Sequence, residues 1–77
     1  MKIELHKSVQ KFILRRQPKE QKRILNALYN LPKGDVKPLV DRPGEFRFRK
    51  GSIRAIFEYR DDVLFVKEID NRGDIYA

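Results

Sequence analysis

Glu45-Phe46-Arg47-Phe48-Arg49-Lys50-Gly51-Ser52-Ile53-Arg54 is the stretch that decides the fold. Its first half alternates aromatic and basic residues with a period of two, as a strand with one buried and one open face requires. Lys50-Gly51 can supply a two-residue hairpin turn, because glycine tolerates positive φ. That turn sets Arg49 opposite Ser52, Phe48 opposite Ile53 and Arg47 opposite Arg54. Arg47, Arg49 and Arg54 then crowd one face, while Phe46, Phe48 and Ile53 cover the other.

Downstream, Ile53 to Tyr59 reads as a second strand and Val63 to Asn71 as a strongly apolar third. A three-residue loop, Arg60 to Asp62, pairs Tyr59 with Val63, Phe57 with Phe65 and Ile53 with Ile69, giving one continuous apolar face. A two-residue loop breaks that match. The longer loop places Arg54 against Glu68, with Asp70 and Arg72 further along the same open face.

Upstream, Lys2 to Leu5 alternates and predicts a short strand. Ser8 is a candidate cap for a helix over about residues 8–16, with Val9, Phe12 and Ile13 at helical spacing. Gln17-Pro18 interrupts it, since the residue before proline avoids the helical region. Pro18 suits the first turn of a second helix, with Ile24, Leu25, Leu28 and Leu31 as its apolar stripe. Pro32-Lys33-Gly34 ends that helix. Residues 35–44 read as a connector punctuated by Pro38, Pro43 and Gly44, with Leu39 and Val40 as an anchor.

The predicted order is β-α-α-β-β-β, an α+β fold. It is an antiparallel sheet with the helical hairpin packed on one face, in a single domain over residues 1–77. The open sheet face is where function is to be sought.

The 77 residues carry 18 basic and 11 acidic side chains, a formal charge of +7. Such an excess favours a polyanionic or acidic partner; the plain alternative is solubility. Residues 1–40 hold ten basic and three acidic side chains, residues 41–77 eight of each. The long-range field therefore arises in the N-terminal half, and an anion site in the C-terminal half has to come from local geometry. Four guanidiniums on one surface repel each other unless an anion lies among them, and their planar forks match phosphate oxygens. A solvated strand face partly neutralised by Glu58, Glu68 and Asp70 is the competing reading. Tyr76 can stack on a base or present a hydroxyl, or simply pack near the chain's end.

With no cysteine there is neither disulfide nor thiolate nucleophile, and no apolar run nears the roughly 18 residues that span a bilayer. No signal peptide is recognised at Met1-Lys2-Ile3-Glu4. An intracellular, cytoplasmic protein without membrane association is expected. A domain this small buries only about 60% of its unfolded surface. His6 stands alone and reads as a strand-end residue, with no metal cluster around it.

The whole chain resembles the RelE side of the RelE/ParE toxin superfamily. The resemblance rests on Val36-Lys37-Pro38-Leu39, Gly44-Glu45-Phe46-Arg47-Phe48-Arg49, Gly51-Ser52-Ile53-Arg54, and the closing Asp70-Asn71-Arg72-Gly73-Asp74-Ile75-Tyr76. It implies the toxin of a type II toxin–antitoxin system, a metal-independent and cofactor-free endoribonuclease. Such an mRNA interferase cuts mRNA in the ribosomal A site, inhibiting translation and arresting growth. Arg47 and Arg49 match the family's paired basic residues, with Lys50 beside them as a further RNA contact. Arg54 matches the phosphate-binding arginine, Arg72 an acid or charge stabiliser, and Tyr76 a tyrosine near the 2′-OH.

The partners implied are a cognate antitoxin, mRNA and ribosomal RNA, the last gripped by the basic helical half. Arginine at positions 47 and 49, where many relatives carry lysine, leaves no general base there. Tyr76, Glu45, Glu58 or a ribosomal group has to serve. Alternatives within the same superfamily are a ParE-like DNA gyrase inhibitor and an inactive antitoxin-binding module.

Overall fold

A computed structural model describes residues 2–71. Seven elements follow in order: β1 (Lys2–Leu5), α1 (Lys7–Leu14), α2 (Pro18–Tyr29), β2 (Asp35–Pro38), β3 (Glu45–Lys50), β4 (Ile53–Arg60) and β5 (Val63–Asn71). The strands form one sheet in the order β1-β5-β4-β3-β2. The α+β class, the helical hairpin and the C-terminal run of antiparallel strands are as the sequence predicts.

The connector differs from its prediction. Residues 35–38 pair antiparallel with β3 as an edge strand. Pro38 is compatible with that role, because an edge strand can lack a ladder donor. The sheet is also mixed, since β1 runs parallel to β5. Helix α1 starts at Lys7, and its cap is His6 and not Ser8. The His6 Nδ1 accepts the Ser8 backbone N–H at 3.0 Å. Helix α2 begins at Pro18, behind Gln17 in an extended conformation. Gln21 closes the corner between the helices by donating from Nε2 to the Arg16 carbonyl at 2.8 Å.

The core lies between the helices and one face of the sheet. Val9 and Ile13 from α1, Ile24, Ala27 and Leu28 from α2, and Phe48, Ala55, Phe57, Leu64 and Val66 from the sheet are buried together. Phe46 stacks on Phe57 with ring centroids 5.4 Å apart. Five large side chains, Val9, Leu28, Phe57, Leu64 and Val66, are fully buried, and burial at about 1.5–3 kcal/mol each is the main favourable term for a domain this small.

Both hairpins pair differently from the expectation. The first turns on Gly51-Ser52, so Arg49 faces Arg54, Phe48 faces Ala55 and Phe46 faces Phe57. This displaces the partners by two residues and leaves the facing of every side chain unchanged. The second hairpin uses the two-residue turn Asp61-Asp62, pairing Arg60 with Val63, with Asp61 at φ 54°. Aspartate is among the few residues that accept this conformation. A register shift between Ile56 and Phe57 leaves Lys67 without a partner in the ladder. The bulge exchanges the faces of β5 midway: Leu64 and Val66 point to the core before it, and Ile69 afterwards. Because the turn has two residues, Phe65 sits on the open face, paired with Glu58 and not with Phe57.

Candidate nucleic-acid interface

The face of the sheet away from the helices is built in rows across the strands. Asp35, Arg49, Arg54 and Asp70 stand in one row, and Lys37, Arg47, Ile56 and Glu68 in the next. Period-two alternation in β2, β3 and β4 puts these side chains on one side. The bulge at Lys67 brings Glu68 and Asp70 into line with them.

Three sequence-predicted residues therefore meet. Arg49 and Arg54 are direct cross-strand neighbours, a like-charge pairing that is unfavourable by itself. The carboxylate of Asp70 offsets it, accepting from Arg54 Nη2 at 2.7 Å. Both side chains of that pair are 39% exposed, so the contact stabilises by no more than about 1 kcal/mol. Arg47 is more deeply set, with Asp35 3.7 Å from its Nη1. That distance is too long for a hydrogen bond, and the Arg47 Nη1 and Asp70 Oδ1 are buried without a partner among the described residues. Arg49 is exposed, and its side chain makes no hydrogen bond or ion pair with a described residue. The arrangement offers guanidinium N–H groups from adjacent strands to one anion.

Lys50 lies elsewhere. It pairs with Ile53 on the helical side of the sheet, next to Arg23 and Ile24 at the hairpin end. The Arg72 and Tyr76 predictions fall outside the described residues.

Sequence reasoning missed a charged chain beside the arginine rows. Arg42, in the β2–β3 loop, binds Glu45 on β3 and Glu68 on β5, each at 2.7 Å. Its side chain thus crosses β4, the strand that carries the buried Ile56. Lys67 bridges Glu58 at 2.8 Å and Glu45 at 3.2 Å, and Arg60 closes the chain on Glu58 at 3.1 Å. Burial opposes ionisation of Glu45, but hydrogen bonds from Lys67 and Arg42 outweigh it and hold its carboxyl below the ordinary range. Hydrogen bonds from Lys67 and Arg60 do the same for Glu58. The same bonds raise Lys67, through Glu58 and then Glu45. A carboxylate held ionised by two cations is a weak proton acceptor, so Glu45 and Glu58 are poor general bases. Nothing local in the sequence marks Lys67, because its direction depends on the bulge.

Further along this face, Arg60 lies over the Phe65 ring at 4.3 Å, and His6 meets the same ring edge-on at 6.0 Å. His6 is thus an exposed strand-end residue, as read from the sequence. None of the described helices is long and apolar enough to cross a membrane.

Comparison with solved structures places this architecture. The chain matches a chain of the RelBE2 toxin–antitoxin complex of Mycobacterium tuberculosis with a TM-score of 0.76 and 18% identity, covering 95% of this chain and 92% of that one. It matches the RelB–RelE antitoxin–toxin complex of Methanococcus jannaschii at 0.69 and 22% identity, over 94% and 93%. The archaeal RelE–RelB complex of Pyrococcus horikoshii matches at 0.69 and 25% identity, over 94% of both chains. No family model matches the sequence, and no curated protein does. The chain has a RelE-like α+β fold.

Proposed function

We propose that this protein is the toxin of a toxin–antitoxin pair and that it cuts mRNA on the ribosome. One observation carries the reading: a RelE-like fold whose sheet face away from the helices gathers Arg47, Arg49 and Arg54. The solved neighbours are toxin–antitoxin complexes, so a cognate antitoxin is the partner this reading requires. An acidic or amphipathic segment that folds on binding suits a surface of this charge.

In the proposed reaction, a ribose 2′-oxygen attacks the adjacent phosphorus in line. The P–O5′ bond breaks, leaving a 2′,3′-cyclic phosphate and a 5′-hydroxyl. Arg54 and Arg49 hold the non-bridging oxygens and stabilise the charge that builds on them. Arg47 supplies a further donor from the next row, and Arg72 stabilises charge on the leaving oxygen. The proton of the 2′-OH passes to Tyr76 in its phenolate form or to a ribosomal group, since Glu45 and Glu58 are engaged by cations, and the leaving O5′ takes one proton from water to become the 5′-hydroxyl. No step calls for a metal or cofactor.

An inactive antitoxin-binding module is a second reading, favoured by the carboxylates already set against Arg54 and Arg47. Induced expression separates the two. Arg54→Ala is expected to relieve growth arrest while the purified variant keeps its melting temperature. Full arrest by that variant overturns the nuclease assignment.

A further inference from the structure

Strand β1 accompanies β5 only as far as the Leu5–Val66 pair. Beyond it, α1 takes the neighbouring place, and a groove of about 570 Å³ lies between α1 and β5. Ser8, Lys11, Phe12 and Arg15 line one wall at i, i+3, i+4 and i+7, a single helical face. Arg16 joins them with its guanidinium 4.2 Å above the Phe12 ring. Opposite stands Glu68, the one acid among the described lining residues. Its carboxylate is already bound to Arg42 at 2.7 Å, so the lining keeps an excess of positive charge.

The groove has direction. Glu68 is two residues before Asp70, which meets Arg54 on the open face. A chain lying in the groove therefore leads along β5 toward the arginine rows.

The geometry points to this groove as a second phosphate-binding stretch for single-stranded RNA, with Lys11 and Arg15 as the backbone contacts. The inference rests on the RNA reading given above and assigns that substrate a path. Lys11 and Arg15 are exposed, so removing their side chains leaves the core intact. The Phe12–Arg16 stack in the groove wall offers a planar group against which a base can rest.

The test is a titration of a short fluorescent 2′-O-methyl RNA, which cannot be cut, across a range of salt concentrations. Each phosphate contact contributes about 0.7 to the slope of log K against log salt. The double variant Lys11→Ala/Arg15→Ala is expected to reduce that slope by about 1.4, twice that contribution, with an unchanged melting temperature. Lys19→Ala/Lys22→Ala removes the same charge from α2 and is expected to keep the wild-type slope. An unchanged slope in the first variant, or an equal loss in both, overturns the groove alone. Salt-independent binding by the wild-type chain overturns the RNA reading together with it.

Discussion

Asp70 is the residue whose removal most cleanly exposes the work of Arg54. Its carboxylate lies 2.7 Å from the guanidinium and occupies a position that an incoming phosphate oxygen would need. With both side chains 39% exposed, the pair is worth no more than about 1 kcal/mol. A phosphate that displaces Asp70 gives up that contact. Asp70→Asn removes the competing charge, and 1 kcal/mol corresponds to a factor of about 5 in affinity. RNA binding by Asp70→Asn, measured by anisotropy at low salt, is therefore expected to tighten about two- to fivefold. Stability should change by less than about 1 kcal/mol in urea. Asp35→Asn serves as a comparison: at 3.7 Å from Arg47 its carboxylate competes less, and a smaller gain is expected. Binding that weakens or stays unchanged in Asp70→Asn would refute the reasoning, because Arg54 would then be a structural partner of Asp70 and not an anion receptor.

Two further predictions concern the frame around the site. The carboxyls of Glu45 and Glu58 are lowered in the fold by Lys67 with Arg42 and Arg60. Their contribution is thus present above the unfolded carboxylate pKa of about 4.3 and lost as pH falls through the lower folded values. Lys67→Met is expected to flatten the acid limb of a melting-temperature profile below about pH 5, and an acid limb identical to wild type would show that Lys67 does not hold them. Gly34 and Gly51 both have positive φ, but a Cβ on Gly34 would lie 2.8 Å from the buried Phe48 ring, whereas Gly51 faces open space. Gly51→Ala should cost about 1–2 kcal/mol from backbone strain alone. Gly34→Ala should cost visibly more in the same urea titration, and equal losses would contradict the packing described.

Facing was legible in the sequence where pairing was not. Arg47, Arg49 and Arg54 share a side because alternation along each strand fixes it. A hairpin displaced by two residues keeps that parity. The choice between Lys50-Gly51 and Gly51-Ser52 as the turn depends on where one glycine falls, and both positions suit it. In β5, Val63, Leu64, Phe65 and Val66 are all apolar, so alternation carries no information about which of them face the core. The two-residue turn at Asp61-Asp62 settles it, the bulge at Lys67 then reverses the facing of the residues beyond, and no local residue announces that bulge. Pro38 argued against a strand, yet an edge position removes the objection. Consequently the arginine cluster could be read from composition and period. Its neutralisation by Asp35 and Asp70, and the Arg42–Lys67 chain beside it, are products of long-range register.

The central claim is that the open-face arginines hold a scissile phosphate. Primer extension on mRNA from ribosomes incubated with the purified chain tests it most directly. Wild-type protein is expected to give discrete cuts within the reading frame, and Arg54→Ala, folded and at equal concentration, none. Growth arrest by the wild-type chain without any new mRNA ends would contradict the account.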